Sequence, residues 1–158
     1  MRKHSPTDDL TGVIKKIEHF CAYRERCSLE TEQKLREWRV PGLKTNIIIN
    51  HLIVEGFIDD TRFARIFASS KFRLKKWGRI KIGFELKSRN IPENLILSAM
   101  NGIAEEDYLK TIRELILKKK KEIKTGKNFI IREKIINFVA GKGFEFDLIA
   151  GILKELKI

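Results

Sequence analysis

The same apolar pattern occurs three times along the chain, at intervals of 51 and 53 residues, and this repetition limits the folds open to the sequence. Each copy has two apolar positions five residues apart, followed by two more, four residues apart, on the next helix. The copies align if the first carries a three-residue insertion. The matching positions are Leu35, Leu86 and Val139; Val40, Ile91 and Phe144; Ile48, Ile96 and Ile149; and Leu52, Met100 and Leu153.

Turn residues stand at matching places in the three copies, near Pro41-Gly42, Pro92 and Gly143. Helical periodicity dominates between these turns, so we predict an all-α fold of about three tandem three-helix repeats. Each module buries only part of its apolar surface alone, so we expect the modules to pack in sequence into an elongated, curved helical array. The predicted divisions are an N-terminal extension with the first helix start over residues 1–16, and repeats over residues 17–58, 59–103 and 104–158.

Helix-start signals mark several of the predicted elements. Ser5-Pro6 is typical of a first helix start, and Ser28 is a candidate cap for the second helix. Of the paired Asp59 and Asp60, one carboxylate caps the helix that follows and the other favours its positive end. We therefore interpret this pair as structural rather than as a general acid or base. The apolar stripe predicted for the helix after it is Phe63, Ile66, Phe67 and Leu74.

The stretch over residues 78–88 allows two structures. Ile80, Ile82, Phe84 and Leu86 alternate strictly, which taken alone predicts a strand. Gly83, inside the run, weakens both the strand and the helix interpretation. The residues by themselves leave the choice open.

Positive charge is concentrated in the middle of the chain. Lys and Arg number 33 against 21 Asp and Glu, for a net charge of +12. Between Arg62 and Arg89 ten basic residues accompany a single acid, Glu85. Salt bridges within helices need acids, so this imbalance favours contact with a polyanion or a filament over a merely solvated surface. The ten residues are Arg62, Arg65, Lys71, Arg73, Lys75, Lys76, Arg79, Lys81, Lys87 and Arg89.

The two tryptophans each have two interpretations. Trp38 and Trp77 can pack in the core or between repeats, or they can stack on bases and anchor an interface. Core packing is the more common role. Trp77 adjoins the basic residues and is the better candidate for an interface.

The sequence contains no recognisable motif of catalysis or of metal or cofactor binding. His19, Cys21 and Cys27 lack the spacing of a zinc site, so we predict buried free thiols, no metal and no cofactor. The glycines near Gly141 and Gly126 fit neither a dinucleotide fingerprint nor a phosphate loop. We therefore predict that the chain is not an enzyme. With no signal peptide, no run long enough to span a membrane and no disulfide framework, we expect a cytoplasmic protein.

Two segments resemble the motifs of a known family, the RecX proteins. Gly56–Arg65 resembles its most characteristic pattern, an apolar residue and paired Asp followed by an aromatic residue and Ala. Residues 78–91 resemble the second, a Gly followed by a basic helix that ends in Leu and a turn. Residues 23–35 resemble the entry to the first repeat. The resemblance covers residues 17–103 well and the last third by pattern alone. Asn90 stands where the family usually has Gly, a mild departure because Asn tolerates the left-handed conformation.

The resemblance implies a helical structure for the ambiguous stretch. Under it, Gly78–Ser88 is a helix with Ile82 and Leu86 turned inward, and Ile80 and Phe84 form a second face against a neighbouring repeat. The residues of the implied structural motif are Asp59, Asp60, Phe63, Gly78 and Leu86.

The resemblance also implies a function. RecX proteins are regulators that bind the RecA recombinase filament on single-stranded DNA, so the chain is expected to inhibit ATP hydrolysis and strand exchange as a monomer in recombinational DNA repair and the SOS response. The predicted filament contacts are Lys71, Arg73, Lys75, Lys76, Trp77, Arg79, Lys81, Lys87 and Arg89. Two other functions remain open from the residues: a helix-turn-helix-like DNA-binding protein, and a helical-repeat adaptor for an acidic protein.

Overall fold

The computed structural model describes residues 10–158, and over that range helices joined by turns and short loops are the regular secondary structure. The all-α prediction is confirmed, while the predicted helix start at Ser5-Pro6 lies outside the described residues. The nine helices of this range are α1 (Leu10–Tyr23), α2 (Ser28–Glu37), α3 (Gly42–Val54), α4 (Asp60–Lys75), α5 (Arg79–Lys87), α6 (Glu93–Asn101), α7 (Glu105–Glu122), α8 (Asn128–Gly141) and α9 (Phe146–Glu155).

The chain divides into two compact units, one ending at Phe63 and one running from Ala64 to Ile158. In the first unit, α1, α2 and α3 close around an aliphatic core that continues into the turn before α4. Its most deeply buried side chains are Ile17, Leu35, Ile48, Leu52 and Ile58. Partly buried residues such as Val13 and Val40 pack against this core.

The start of α2 differs from the prediction. Cys27, not Ser28, is the N-cap, and Ser28 is the first helical residue. Cys27 is fully buried, and the backbone N–H of Ser28 donates to Asp60 Oδ1 at 2.8 Å. The neighbouring Asp59 caps α4, since the N–H of Arg62 donates to Asp59 Oδ1 at 2.9 Å. Asp60, at the start of α4, provides the acceptor for the first N–H group of α2, so Ser28 is not the cap. Both aspartates of the pair therefore have structural partners.

The second unit is built on a row of aromatic rings. Phe72 on α4 stacks on Tyr108 of α7 with ring centroids 5.7 Å apart. Tyr108 in turn contacts Phe144, before α9, at 5.1 Å. These rings tie α4, α7 and the α8–α9 turn together, and Tyr108 and Phe144 are almost completely buried.

The predicted apolar stripe of α4 is wrong in part. Phe63 is buried as predicted, but Ile66 is 42% exposed and Leu74 is 79% exposed. At about 100° per residue, Leu74 points roughly 200° away from Phe72. Because Phe72 packs on Tyr108, the side of the helix that carries Leu74 faces solvent. The remaining buried positions are the small residues Ala64 and Ala68, which a hydrophobic stripe search overlooks.

The repeat positions found in the sequence are structurally equivalent. The first position of each copy, Leu35, Leu86 and Val139, is fully buried. Four residues later each copy has a residue with positive φ: Arg39 at 59°, Asn90 at 56° and Gly143 at 94°. The N–H of each donates to the carbonyl three residues earlier, at 2.9, 3.0 and 2.9 Å. The middle helix of every repeat therefore ends in the same left-handed turn, occupied by three different residue types.

We predict that Arg39→Gly stabilises the protein by about 0.5–1 kcal/mol, because Gly adopts the left-handed conformation without the strain of a side chain. Asn90→Gly should increase the free energy of unfolding by less, since Asn tolerates the left-handed conformation better than Arg does. Urea denaturation followed by circular dichroism measures both free energies of unfolding. A loss of stability in Arg39→Gly would contradict the assignment.

Candidate nucleic-acid interface

The ambiguous stretch is a helix, α5, whose first turn is held by the third repeat. The N–H of Gly78 donates to Lys142 O at 2.8 Å, and the N–H of Ile80 donates to Gly143 O at 3.0 Å. A Cβ at Gly78 would overlap the carbonyl group of Gly143. Likewise, a Cβ at Gly143 would overlap the backbone and Cβ of Lys81. The two glycines therefore allow direct backbone contact, which supplies acceptors for N–H groups that a helix start leaves without partners.

Another N–H group of this turn is bound by a tyrosine. The backbone N–H of Arg79 donates to Tyr108 Oη at 2.9 Å, and that hydroxyl donates to Glu145 Oε2 at 2.6 Å. Burial and the hydrogen bond to Glu145 raise the pKa of Tyr108 well above its ordinary value. The hydroxyl therefore stays protonated at neutral pH and links α5, α7 and α9.

The Arg79 side chain takes part in the same packing. Its guanidinium lies 3.8 Å from the centroid of the Tyr108 ring. It forms ion pairs with Glu105 and with Glu145, the latter at 3.6 Å. Arg79, one of the predicted filament contacts, is thus engaged within the second unit.

The helix prediction for this stretch is confirmed at its inward positions and wrong at its second face. Ile82 and Leu86 are fully buried. Ile80 and Phe84, expected to pack on a neighbouring repeat, are 59% and 71% exposed. Strict alternation does not make this stretch a strand, because the capped first turn and the inward pair four residues apart both require helical geometry.

A cluster of cations and aromatic rings lies between α4 and α5. Lys71 Nζ and Lys81 Nζ lie 5.0 and 4.5 Å from the ring centroid of the half-buried Trp77. Arg89 and Lys71 also flank the Phe67 ring, at 5.0 and 5.3 Å. We call these five residues, Phe67, Lys71, Trp77, Lys81 and Arg89, the Trp77 cluster. Four of the predicted contacts therefore lie together, and Phe67, which the sequence pattern had assigned to the core stripe, joins them.

Among residues 10–158, the carboxylate of Glu85 adjoins the Trp77 cluster. Glu85 Oε2 accepts a hydrogen bond from Arg89 Nη1 at 2.8 Å, within one turn of helix. This acid is the one that interrupts the basic run in the sequence. Because Glu85 is the one acid in the basic run that contains the three cations, the described residues give the cluster a net positive charge that suits an anionic partner.

The other predicted contacts lie elsewhere on the second unit. Arg73 lines a small pocket on α4 together with Arg65. Lys75 and Lys76 are exposed at the end of α4, and Lys76 has a positive φ of 55°. Lys87 faces a different groove. The basic run that is continuous in sequence is thus distributed around the helices rather than gathered on one face.

An apolar groove separates α5 from α6. Its volume is about 820 Å³, and Ile80, Phe84 and Leu97 are more than half exposed. Lys87 and Glu93 also line it, so its polar lining carries both signs of charge. We call this surface the α5–α6 groove. An exposed apolar surface with a polar rim is typical of a protein contact site.

The cysteines agree with the thiol prediction. Cys21 and Cys27 are buried and free, and burial raises the pKa of both thiols. Within residues 10–158, no cluster of three or more His, Cys, Asp or Glu side chains could hold a metal ion. No helix in that part of the chain is long and apolar enough to cross a membrane.

Comparisons with known proteins show which family the chain resembles. The model described as "RecX, second three-helix domain" matches residues 59–100, which contain α4, α5 and all of α6 but its last residue. The Regulatory protein RecX of Clostridium acetobutylicum is 28% identical over 131 residues, covering 80% of this chain and 60% of the relative. That of Bacillus licheniformis is 26% identical over 151 residues, covering 94% and 56%. The chain is thus similar to proteins of the RecX family.

Solved RecX structures share the fold. The crystal structure of RecX from Lactobacillus salivarius superposes with a TM-score of 0.87 at 23% identity, covering 96% of this chain and 98% of that one. A second RecX crystal structure gives 0.86 at 20% identity, covering 94% and 73%. The prediction of tandem three-helix repeats is thereby confirmed. The relatives are named regulatory proteins, with which the prediction of a non-enzymatic chain agrees. The chain spans 60% and 56% of the two curated relatives' length.

We predict that Gly78→Ala destabilises the protein by at least about 2 kcal/mol, because its Cβ would overlap the Gly143 carbonyl, which is backbone and cannot rotate away. Urea denaturation measures the change.

The matched control is Gly151→Ala. Gly151 lies within α9, and the space that a methyl group would occupy there is open. The same chemical change should therefore stabilise the helix by about 0.5–1 kcal/mol. Equal effects at the two glycines would contradict the backbone contact.

Proposed function

We propose that the chain binds the RecA filament on single-stranded DNA and inhibits its ATP hydrolysis and strand exchange. Similarity to proteins named Regulatory protein RecX supports the regulatory role. The observation that carries the proposal is the Trp77 cluster, which lies within the residues matched by the family model. We further propose that the protein acts as a monomer in the cytoplasm, in recombinational DNA repair.

The Trp77 cluster fits a phosphate backbone for a physical reason. A lysine or arginine held over an aromatic face has already lost part of its side-chain freedom, so less is lost when it binds an anion. Lys71 and Lys81 approach Trp77 from α4 and α5. Two cations fixed on one ring can meet successive phosphates of a strand, and the exposed part of the ring can contact a base.

The α5–α6 groove fits the protein part of the filament. Its exposed Ile80, Phe84 and Leu97 provide apolar contact area, and Lys87 and Glu93 provide charges of both signs. A strand of DNA would meet Glu93 with repulsion, whereas a protein surface can pair with both signs. A regulator that contacts both the strand and the recombinase opposes the subunit rearrangements that accompany ATP hydrolysis.

The first experiment is a titration of single-stranded-DNA-dependent ATP hydrolysis by RecA from the same organism. We expect hydrolysis to fall when this protein is well below one per recombinase monomer. Inhibition that begins only once the DNA itself is saturated would mean competition for DNA and would contradict a filament regulator. Sequence-specific protection of duplex DNA in a footprint would favour a helix-turn-helix-like protein instead.

We predict that Lys71→Gln/Lys81→Gln weakens binding to the RecA filament on single-stranded DNA and flattens its salt dependence. Each lost phosphate contact lowers the log–log slope by about 0.7, so two lower it by about 1.4. Fluorescence anisotropy of the labelled filament at several salt concentrations measures the slope.

The matched control is Lys110→Gln/Lys118→Gln, which removes the same charge from exposed positions of α7. If the control and the test variant flatten the slope equally, the effect is one of net charge and the Trp77 cluster is not the contact.

A further inference from the structure

The first unit has an open groove lined by aromatic and basic side chains. Its volume is about 510 Å³, and it lies between α1 and the end of α2. Among the described residues, no carboxylate lines it. The side chains that matter are Phe20, Tyr23, Trp38, Lys15, Lys16 and Arg26. We call this surface the Tyr23 groove.

The aromatic rings of the Tyr23 groove are open to a ligand. Tyr23 is 81% exposed and Trp38 is 36% exposed. A tyrosine this exposed contributes little to the core, whereas its flat ring is well suited to stacking against another ring. The lining is also more apolar than the charges around it would suggest, since it includes the rings of Phe20, Tyr23 and Trp38 beside His19 and the basic side chains.

The surroundings of Arg26 favour the binding of an anion beside its guanidinium group. Its guanidinium carbon lies 3.9 Å from the centroid of the Phe20 ring. Its Nε is buried and has no hydrogen-bond partner among the described residues. Burial and the neighbouring charge of Arg24 lower the pKa of Arg26, and the opposite effect of Glu30 does not fully offset them. A phosphate beside the guanidinium would offset both the burial and the repulsion.

The spacing of basic and aromatic residues extends the groove along one side of α1. Lys16, Phe20 and Tyr23 follow one another at helical intervals of four and three residues, so they lie on one side of α1. Lys15 lines the same groove. Lys34 of α2, which pairs with Glu37, lies 5.9 Å from the centroid of the Trp38 ring. Cations therefore stand at both helices that border the rings.

We propose that the Tyr23 groove binds unpaired bases of single-stranded nucleic acid. Bases stack on Tyr23 and Trp38, and the adjoining phosphates meet Lys15, Lys16 and Arg26. A ring-lined groove in which no described residue of the lining is a carboxylate favours a polynucleotide over a protein, because a protein contact of this size normally includes paired charges of both signs. This site lies in the first unit, apart from the Trp77 cluster, and binding at it needs no recombinase.

The experiment measures binding of the full chain, without recombinase, to two labelled strands of the same length. One is oligodeoxythymidine of about 15 nucleotides, within the usual range of single-strand sites, and the other is an abasic strand with the same phosphates. We expect Tyr23→Ala to weaken oligodeoxythymidine binding about tenfold, the loss that follows when one base no longer stacks. Binding of the abasic strand should remain unchanged.

Phe129→Ala is the matched control, since Phe129 is 65% exposed on α8, and it should change neither affinity. Circular dichroism checks that both variants remain folded. Equal weakening of both strands by Tyr23→Ala, or no weakening of either, would overturn the proposal. Weaker binding to the RecA filament with unchanged oligodeoxythymidine binding would also overturn it and would assign the groove to a protein partner. Because the ATP hydrolysis test does not enter here, this inference and the proposed function can fail separately.

Discussion

The second unit depends on the direct backbone contact between the start of α5 and the α8–α9 turn. Helix starts normally obtain acceptors from their own capping side chains, but Gly78 has none to offer. The third repeat supplies them through Lys142, Gly143 and Tyr108. This contact fixes the position of α5, and α5 carries Lys81 and leads into Arg89 of the Trp77 cluster. The geometry of the candidate interface in the second repeat is therefore set by residues of the third.

Cations held over aromatic rings recur in all three repeats. Lys34 lies near Phe20 and Trp38 in the first, and the Trp77 cluster occupies the second. In the third, Lys119 lies 4.9 Å from the centroid of the Phe138 ring. Each such contact stabilises by about 0.5–1 kcal/mol at an exposed site. A chain with a net charge of +12 thus holds these cations with rings in addition to carboxylates, since Lys34 and Lys119 also pair with Glu37 and Glu122.

The fold could be predicted from the sequence because the repeat is encoded by buried positions such as Leu35, Leu86 and Val139. The candidate site could be predicted only in part. A run of basic residues does not show on which side of the helix each side chain lies. The sequence therefore could not distinguish Lys71 and Lys81, which lie in the Trp77 cluster, from Arg73 and Lys87, which do not. Tyr108 was missed because its role depends on contacts with residues 29 and 37 positions away. Such contacts leave no local spacing to detect.

The acceptors for the first turn of α5 lie 64 and 63 residues farther along the chain, since Gly78 pairs with Lys142 and Ile80 with Gly143. A ribosome releases the N-terminus first, so α5 emerges long before those acceptors exist. The first unit has its own core and can close early. The first turn of α5 lacks these acceptors until the third repeat has been synthesised, so the second repeat cannot complete its folding before then. The order of synthesis therefore makes the two later repeats mature together as one cooperative body.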